Sequence, residues 1–203
     1  MPDEPTDIIA QARQFLLSHR HGTLIADESP RKIRFILDLD RGCPAAPIAQ
    51  HELFADSLAL MVPDEGEDAL QLLVAAEELD PTRDRCADRW QANFGRADQR
   101  RWARFTIESA RFATAVLDGD SFAWTSPLAA HQTALCRTAN ADPTRLAQIC
   151  RAGSEATAVG VDEWGLDVRT RIGVLRVSFA TLAGDVEAAR EAIARLLRGE
   201  ADS

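Results

Sequence analysis

Apolar positions along this chain repeat with two different periods. Ile8, Ile9, Ala12, Phe15 and Leu16 share one helical face, so residues 7–18 read as an amphipathic helix with Thr6 or Asp7 as its cap. The period then shortens to two. HGTLIAD (21–27) reads as a strand, KIRFILDLD (32–40) as a second and SLALMV (57–62) as a third. RGCPAAP breaks the second strand, and PDEGED (63–68) reads as a turn. The run ALQLLVAAEEL (69–79) fits helix or strand, because an unbroken apolar run has no period of its own. Asp80 as cap, Pro81 as first residue and Gly95 as stop predict a helix over 80–95. WARFTIESARFATAVL (102–117) reads as a strand pair or a bent strand, and SFAW (121–124) as a short strand.

The style changes after residue 136. Asp142 and Pro143 start a helix over 142–152. Three strands follow at 155–162, 166–171 and 174–179. Asp185 caps a closing helix whose face is Val186, Ala189, Ile193, Leu196 and Leu197, and Gly199 ends it. Many short strands before residue 130 suggest a barrel or sandwich. The rest forms a helix, three-strand meander, helix unit. The expected division is residues 1–135 and 136–203, an α+β class.

Composition narrows the partners. The formal net charge of −9 argues against broad binding to nucleic acid or anionic membrane. No apolar run approaches the ~18 residues of a membrane span. MPDEPTDIIAQ is acidic and lacks a long apolar core, so no secretory signal is expected and the cytoplasm is the expected location. Cys43, Cys86, Cys136 and Cys150 form no CxxC pair and read as reduced, small apolar residues.

Candidate chemistry is sparse. Between residues 83 and 111 stand eight arginines and four acids, a local balance of +4. Guanidinium forks suit phosphate or carboxylate, whereas a solvated face with local ion pairs is the plainer reading. Arg104, between Trp102 and Phe105, is the best single candidate for an anion site. His19 and His21 could share one side of an extended segment, but no third ligand is near in sequence, so no metal is expected. Asp38 and Asp40 end a strand in the ordinary way. There is no glycine-rich phosphate loop, no GxSxG and no tyrosine. No catalytic residue emerges, and whether the chain is an enzyme stays open.

The order of segments adds a resemblance. ARQFLLSHRHGTL (12–24), FILDLDRGCPAAPIAQH (35–51), LQLLVAAEEL and DRCADRW resemble successive segments of the FMN-binding split-barrel superfamily. The branch is the one with pyridoxamine 5′-phosphate oxidase-like and haem-utilisation proteins. Residues 140–199 resemble the small C-terminal domain that often follows the barrel, with AVGVDEWGLDVR similar to its hairpin. The resemblance implies a split β-barrel, a homodimer, and haem or FMN as an anionic cofactor in clefts at the subunit interface, with a link to haem or tetrapyrrole metabolism. His51 would be the polar or axial group, and Arg104 and Arg34 would pair with carboxylate or phosphate. Two departures stand out. Glu52 and Leu53 replace a polar run near the phosphate, and a carboxylate there is repulsive. The family's H-M-N-x-D-H reads Thr138-Ala139-Asn140-Ala141-Asp142-Pro143 here, without either histidine. The departures leave an alternative: a cofactor-less regulatory or adaptor module that keeps the fold and the dimer interface.

Overall fold

The computed structural model describes residues 5–64, 66, 69–98, 101–152 and 155–200. The chain divides into two units, residues 1–91 with 96–124, and residues 92–95 with 125–203.

The first unit opens with helix α1 (Pro5–Leu17). Its strands are β1 (His21–Ala26), β2 (Ser29–Arg34), β3 (Ile36–Asp38), β4 (Cys43–Ile48), β5 (Leu58–Val62), β6 (Leu70–Glu78), β7 (Arg101–Phe112) and β8 (Ala115–Asp118). They pair antiparallel in the order β2-β1-β5-β6-β7-β4-β3, with β8 on β7. β2 and β3 lie at opposite ends of this path, yet only Phe35 separates them in the chain. The sheet must therefore curl until its ends nearly meet without pairing, which makes it a split barrel. Phe35, Phe105, Leu24, Leu60 and Leu72 are fully buried within it. Each such side chain contributes about 1.5–3 kcal/mol through burial.

Several local readings change. The strand expected over 32–40 breaks at Phe35 into β2 and β3. The segment expected to break it, 41–47, instead supplies most of β4, every residue of which is buried. Pro44 has a register partner only in β3, and Pro47 only in β7. Each proline thus serves one ladder, and its missing amide is not needed on the other side. Gly42 makes the preceding turn, with φ +64° and its N–H donating to the Asp38 carbonyl at 2.7 Å. A Cβ there would meet the Trp124 carbonyl at 2.4 Å. Part of the expected turn at 63–68 lies outside the described residues. The ambiguous run is strand β6.

The helix expected from residue 80 begins later, as α3 (Arg85–Phe94). Asp80 spends its carboxylate on the N–H and hydroxyl of Thr82, at 2.9 and 2.7 Å, which makes a turn. Asp84 caps the helix instead, accepting from the Cys86 N–H at 2.8 Å. SFAW is no strand: α4 (Gly119–Phe122) occupies the site, capped by Asp118. Arg13 closes its far end by donating to the carbonyls of Ser121, Phe122 and Ala123, at 2.8, 3.2 and 2.8 Å.

The second unit contains α5 (Gln132–Ala139), which the pattern did not announce, and α6 (Pro143–Ile149). Strands β9 (Ala156–Asp162), β10 (Gly165–Thr170) and β11 (Gly173–Ser178) form a meander in the order β11-β10-β9, and α7 (Val186–Arg198) closes the chain. Leu135, Leu146, Val161, Val168, Ala189 and Ile193 are among its core. The caps Asp142 and Asp185 accept from the N–H groups of Arg145 and Ala188, at 2.9 and 2.8 Å. Gly199 ends α7 in the left-handed conformation.

Candidate functional site

Arg104 lies in the first half of β7, opposite Glu77 of β6 and Ala45 of β4. Its side chain is 7% exposed. Nε donates to Asp38 at 2.7 Å, Nη2 to Asp84 at 2.9 Å and Nη1 to Glu77 at 3.4 Å. Glu77 also takes Arg41 at 3.2 Å. Burial alone would lower the guanidinium's pKa, but the bond and charge of Asp38, followed by Asp84, hold it above the ordinary value. Three carboxylates thus meet two arginines, so the donors of Arg104 face internal acceptors. The expected anion ligand is a tie between β3, β6, β7 and the cap of α3. Asp38, read from sequence as ordinary, is its strongest partner.

His51 and Glu52 lie on α2 (Gln50–Leu53), directly after β4. His51 is exposed and Glu52 is 2% exposed. An arginine of β2 reaches this turn, and it is Arg31: Nε and Nη2 donate to Glu52 at 2.5 and 2.6 Å. The Ala49 N–H donates to the same carboxylate at 2.7 Å. Burial raises the Glu52 pKa, but these bonds and the Arg31 charge outweigh it and hold the carboxyl below its usual range. Arg34, at the exposed end of β2, stands opposite His21 in the β1 register. The three expected residues therefore sit on β2, α2 and β7.

Burial shapes the other titratable groups of the first unit. Burial, then Asp38, pushes the Cys43 thiol up to about 12, and burial likewise raises Cys86. Cys43, Cys86 and Cys150 are free thiols. His19 is held by the Phe15 carbonyl at 2.8 Å, and burial lowers its pKa. Among the described residues, no group of three or more His, Cys, Asp or Glu is placed to hold a metal. No described helix is long and apolar enough to cross a membrane.

The altered segment at 138–143 has an internal role. The Asn140 amide donates to the Ala158 carbonyl at 3.0 Å and accepts from the Ala158 N–H at 2.8 Å. Gln132 does the same with Val161, accepting from its N–H at 3.1 Å and donating to its carbonyl. β9 is an edge strand, and its register shifts so that Ala158 faces Val168 while Gly160 faces Asp167. The extra residue brings Ala158 and Val161 onto the same edge. Two amide side chains therefore stand in for a missing fourth strand.

No protein-family model and no curated protein matches the sequence. Among solved structures, a protein of unknown function from Agrobacterium tumefaciens, Atu2129, is similar over 96% of this chain and 97% of its own, at 18% identity and a TM-score of 0.67. A heme binding protein from Mycobacterium smegmatis covers 98% of each chain at 19% identity and a TM-score of 0.41. A protein assigned as a pyridoxamine 5′-phosphate oxidase from Listeria innocua covers 55% of this chain and 100% of its own, at 13% identity and a TM-score of 0.40. The first establishes the fold over almost the whole chain. The other two overlap too loosely to add to it.

Proposed function

We propose that this chain is a homodimeric split-barrel module that has given up flavin binding and works by recognition, as a regulatory or adaptor protein. One observation carries this reading. At the turn that resembles the family's phosphate site, Nε and Nη2 of Arg31 and the Ala49 amide are already committed to the buried carboxylate of Glu52. A phosphate there would have to displace an internal anion. FMN does not fit these residues in the usual mode.

A second reading keeps a ligand: haem, in a role tied to tetrapyrrole metabolism. It is favoured by two exposed side chains of one short segment, His51 in α2 and Phe54 at its C-terminal cap, the latter 68% exposed. An imidazole can ligate the iron of a haem and an aromatic ring can pack on its porphyrin.

Absorption spectra during titration with FMN and with hemin separate the readings. The recognition reading expects no saturable change with either. A Soret band that shifts, saturates at one hemin per subunit and is lost in His51→Ala would establish the second reading. Saturable flavin binding would overturn both.

A further inference from the structure

The meander of the second unit has two edges, and they differ. On β9, Asn140 and Gln132 bond the backbone of Ala158 and Val161. β11 is the other edge, and among the described residues no strand pairs with its outer side. Every second residue of an edge strand turns its N–H and carbonyl outward, so β11 presents an open ladder.

β11 also lacks the devices that usually close such an edge. It contains no proline or lysine, and its register with β10 runs from Ser178 to Gly173 without a shift. Its one charge, Arg176, is directed inward: both Nη atoms donate to Asp162, and Nη1 donates to Asp167 at 3.2 Å. Ile172, in the turn before the strand, is 79% exposed, and Leu182, in the loop beyond it, 54%. That loop supplies a second feature. Phe179, Ala180 and Thr181 wall a cavity of about 150 Å³ together with Ala188, Ala192 and Leu196 of α7. A cavity of this order holds one apolar group about the size of benzene. The charged residues of its wall are bonded internally, Arg195 to Glu191 at 3.1 Å and Glu200 to Arg198 at 2.6 Å.

Charge indicates the partner. Within the hairpin 165–178 the exposed charged residues are Arg169 and Arg171, both cationic, on a chain of net charge −9. We propose that β11 is a docking edge: an extended segment of a partner protein, apolar at alternate positions and acidic at the end nearest Arg169 and Arg171, adds to it as a fourth strand and places an apolar side chain in the cavity beside Phe179. Main-chain bonds supply the affinity, and the arginines and the cavity select the segment. The inference rests on the recognition reading and gives it a class of partner.

Random linear peptides long enough to span β11, displayed and selected against the full chain, test the edge. The selected peptides should carry acidic residues at one end and alternate apolar with polar positions. Hydrogen exchange of the full chain with such a peptide bound should gain protection at alternate amides of Gly173–Ser178 and stay unchanged at Ala158 and Val161. N-methylation of one alternate set of peptide amides should weaken binding by at least about tenfold, and methylation of the other set should leave it intact. Arg171→Glu, a change at an exposed position, should weaken binding about fivefold. A selection that yields no binder, protection gained elsewhere in the chain, tolerance of both methylated sets, or unchanged affinity in Arg171→Glu would each overturn the docking edge. The recognition reading fails on a different measurement, saturable binding of FMN or hemin.

Discussion

A single guanidinium in β7 shows how little a residue's type says about its task. Arg104 has the chemistry of an anion ligand, but its partners are internal carboxylates. Removing one side of a buried ion pair leaves charge without compensation. Arg104→Ala should therefore lower unfolding stability by about 3–5 kcal/mol, read from urea melts. Arg104→Lys keeps the charge but not the fork, so it should fall between the two. An alanine variant as stable as the wild type would return Arg104 to the list of possible ligand groups. Glu52 makes a prediction about pH. Its folded pKa is lowered, so its stabilisation is present above the ordinary 4.5 and is lost as pH falls through the folded value. Thermal melts on the acid side should show this loss, and Glu52→Gln should flatten it.

At the scale of elements, Asn140 and Gln132 do the work of a strand. Asn140→Ala would leave the N–H and carbonyl of Ala158 without their side-chain partner, at a cost of about 1–3 kcal/mol. Faster exchange at Ala158 and an unchanged rate at Val161 would assign each amide to its own seal, because Gln132 still covers Val161. Equal acceleration at both would mean that α5 as a whole is displaced. The same elements show what the sequence could disclose. α1, β5, α6 and α7 were legible because their signals are local: periodic apolar positions, Asp caps, a terminal glycine. α4 was hidden because Arg13 closes it from 108 to 110 residues away. β4 was hidden because prolines normally interrupt strands, and only the ladder on each side shows which amides are dispensable. The role of Arg104 was obscure for the same reason, since Asp38 is 66 residues distant in sequence.

At the scale of the molecule, the proposed dimer must form between two chains that each carry a formal charge of −9. Like charge opposes association, and salt screens it over a Debye length of about 10 Å at 0.1 M. The first unit carries an apolar surface that could offset this repulsion. Met61 of β5, Leu73 of β6 and Val116 of β8 line one shallow depression. Leu73 is 46% and Val116 78% exposed. Arg111 of β7 borders it, a cation on a chain whose net charge is negative. Association through this face buries apolar area, so added salt should strengthen it rather than weaken it. Sedimentation velocity should therefore show a dimer fraction that rises from 0.05 to about 0.5 M sodium chloride. Val116→Lys should shift the population to monomer without lowering the melting temperature of the monomer, because Val116 is already exposed. A monomer at every salt and protein concentration would remove the dimer from the proposal. A dimer indifferent to Val116→Lys would place its interface on another face of the chain.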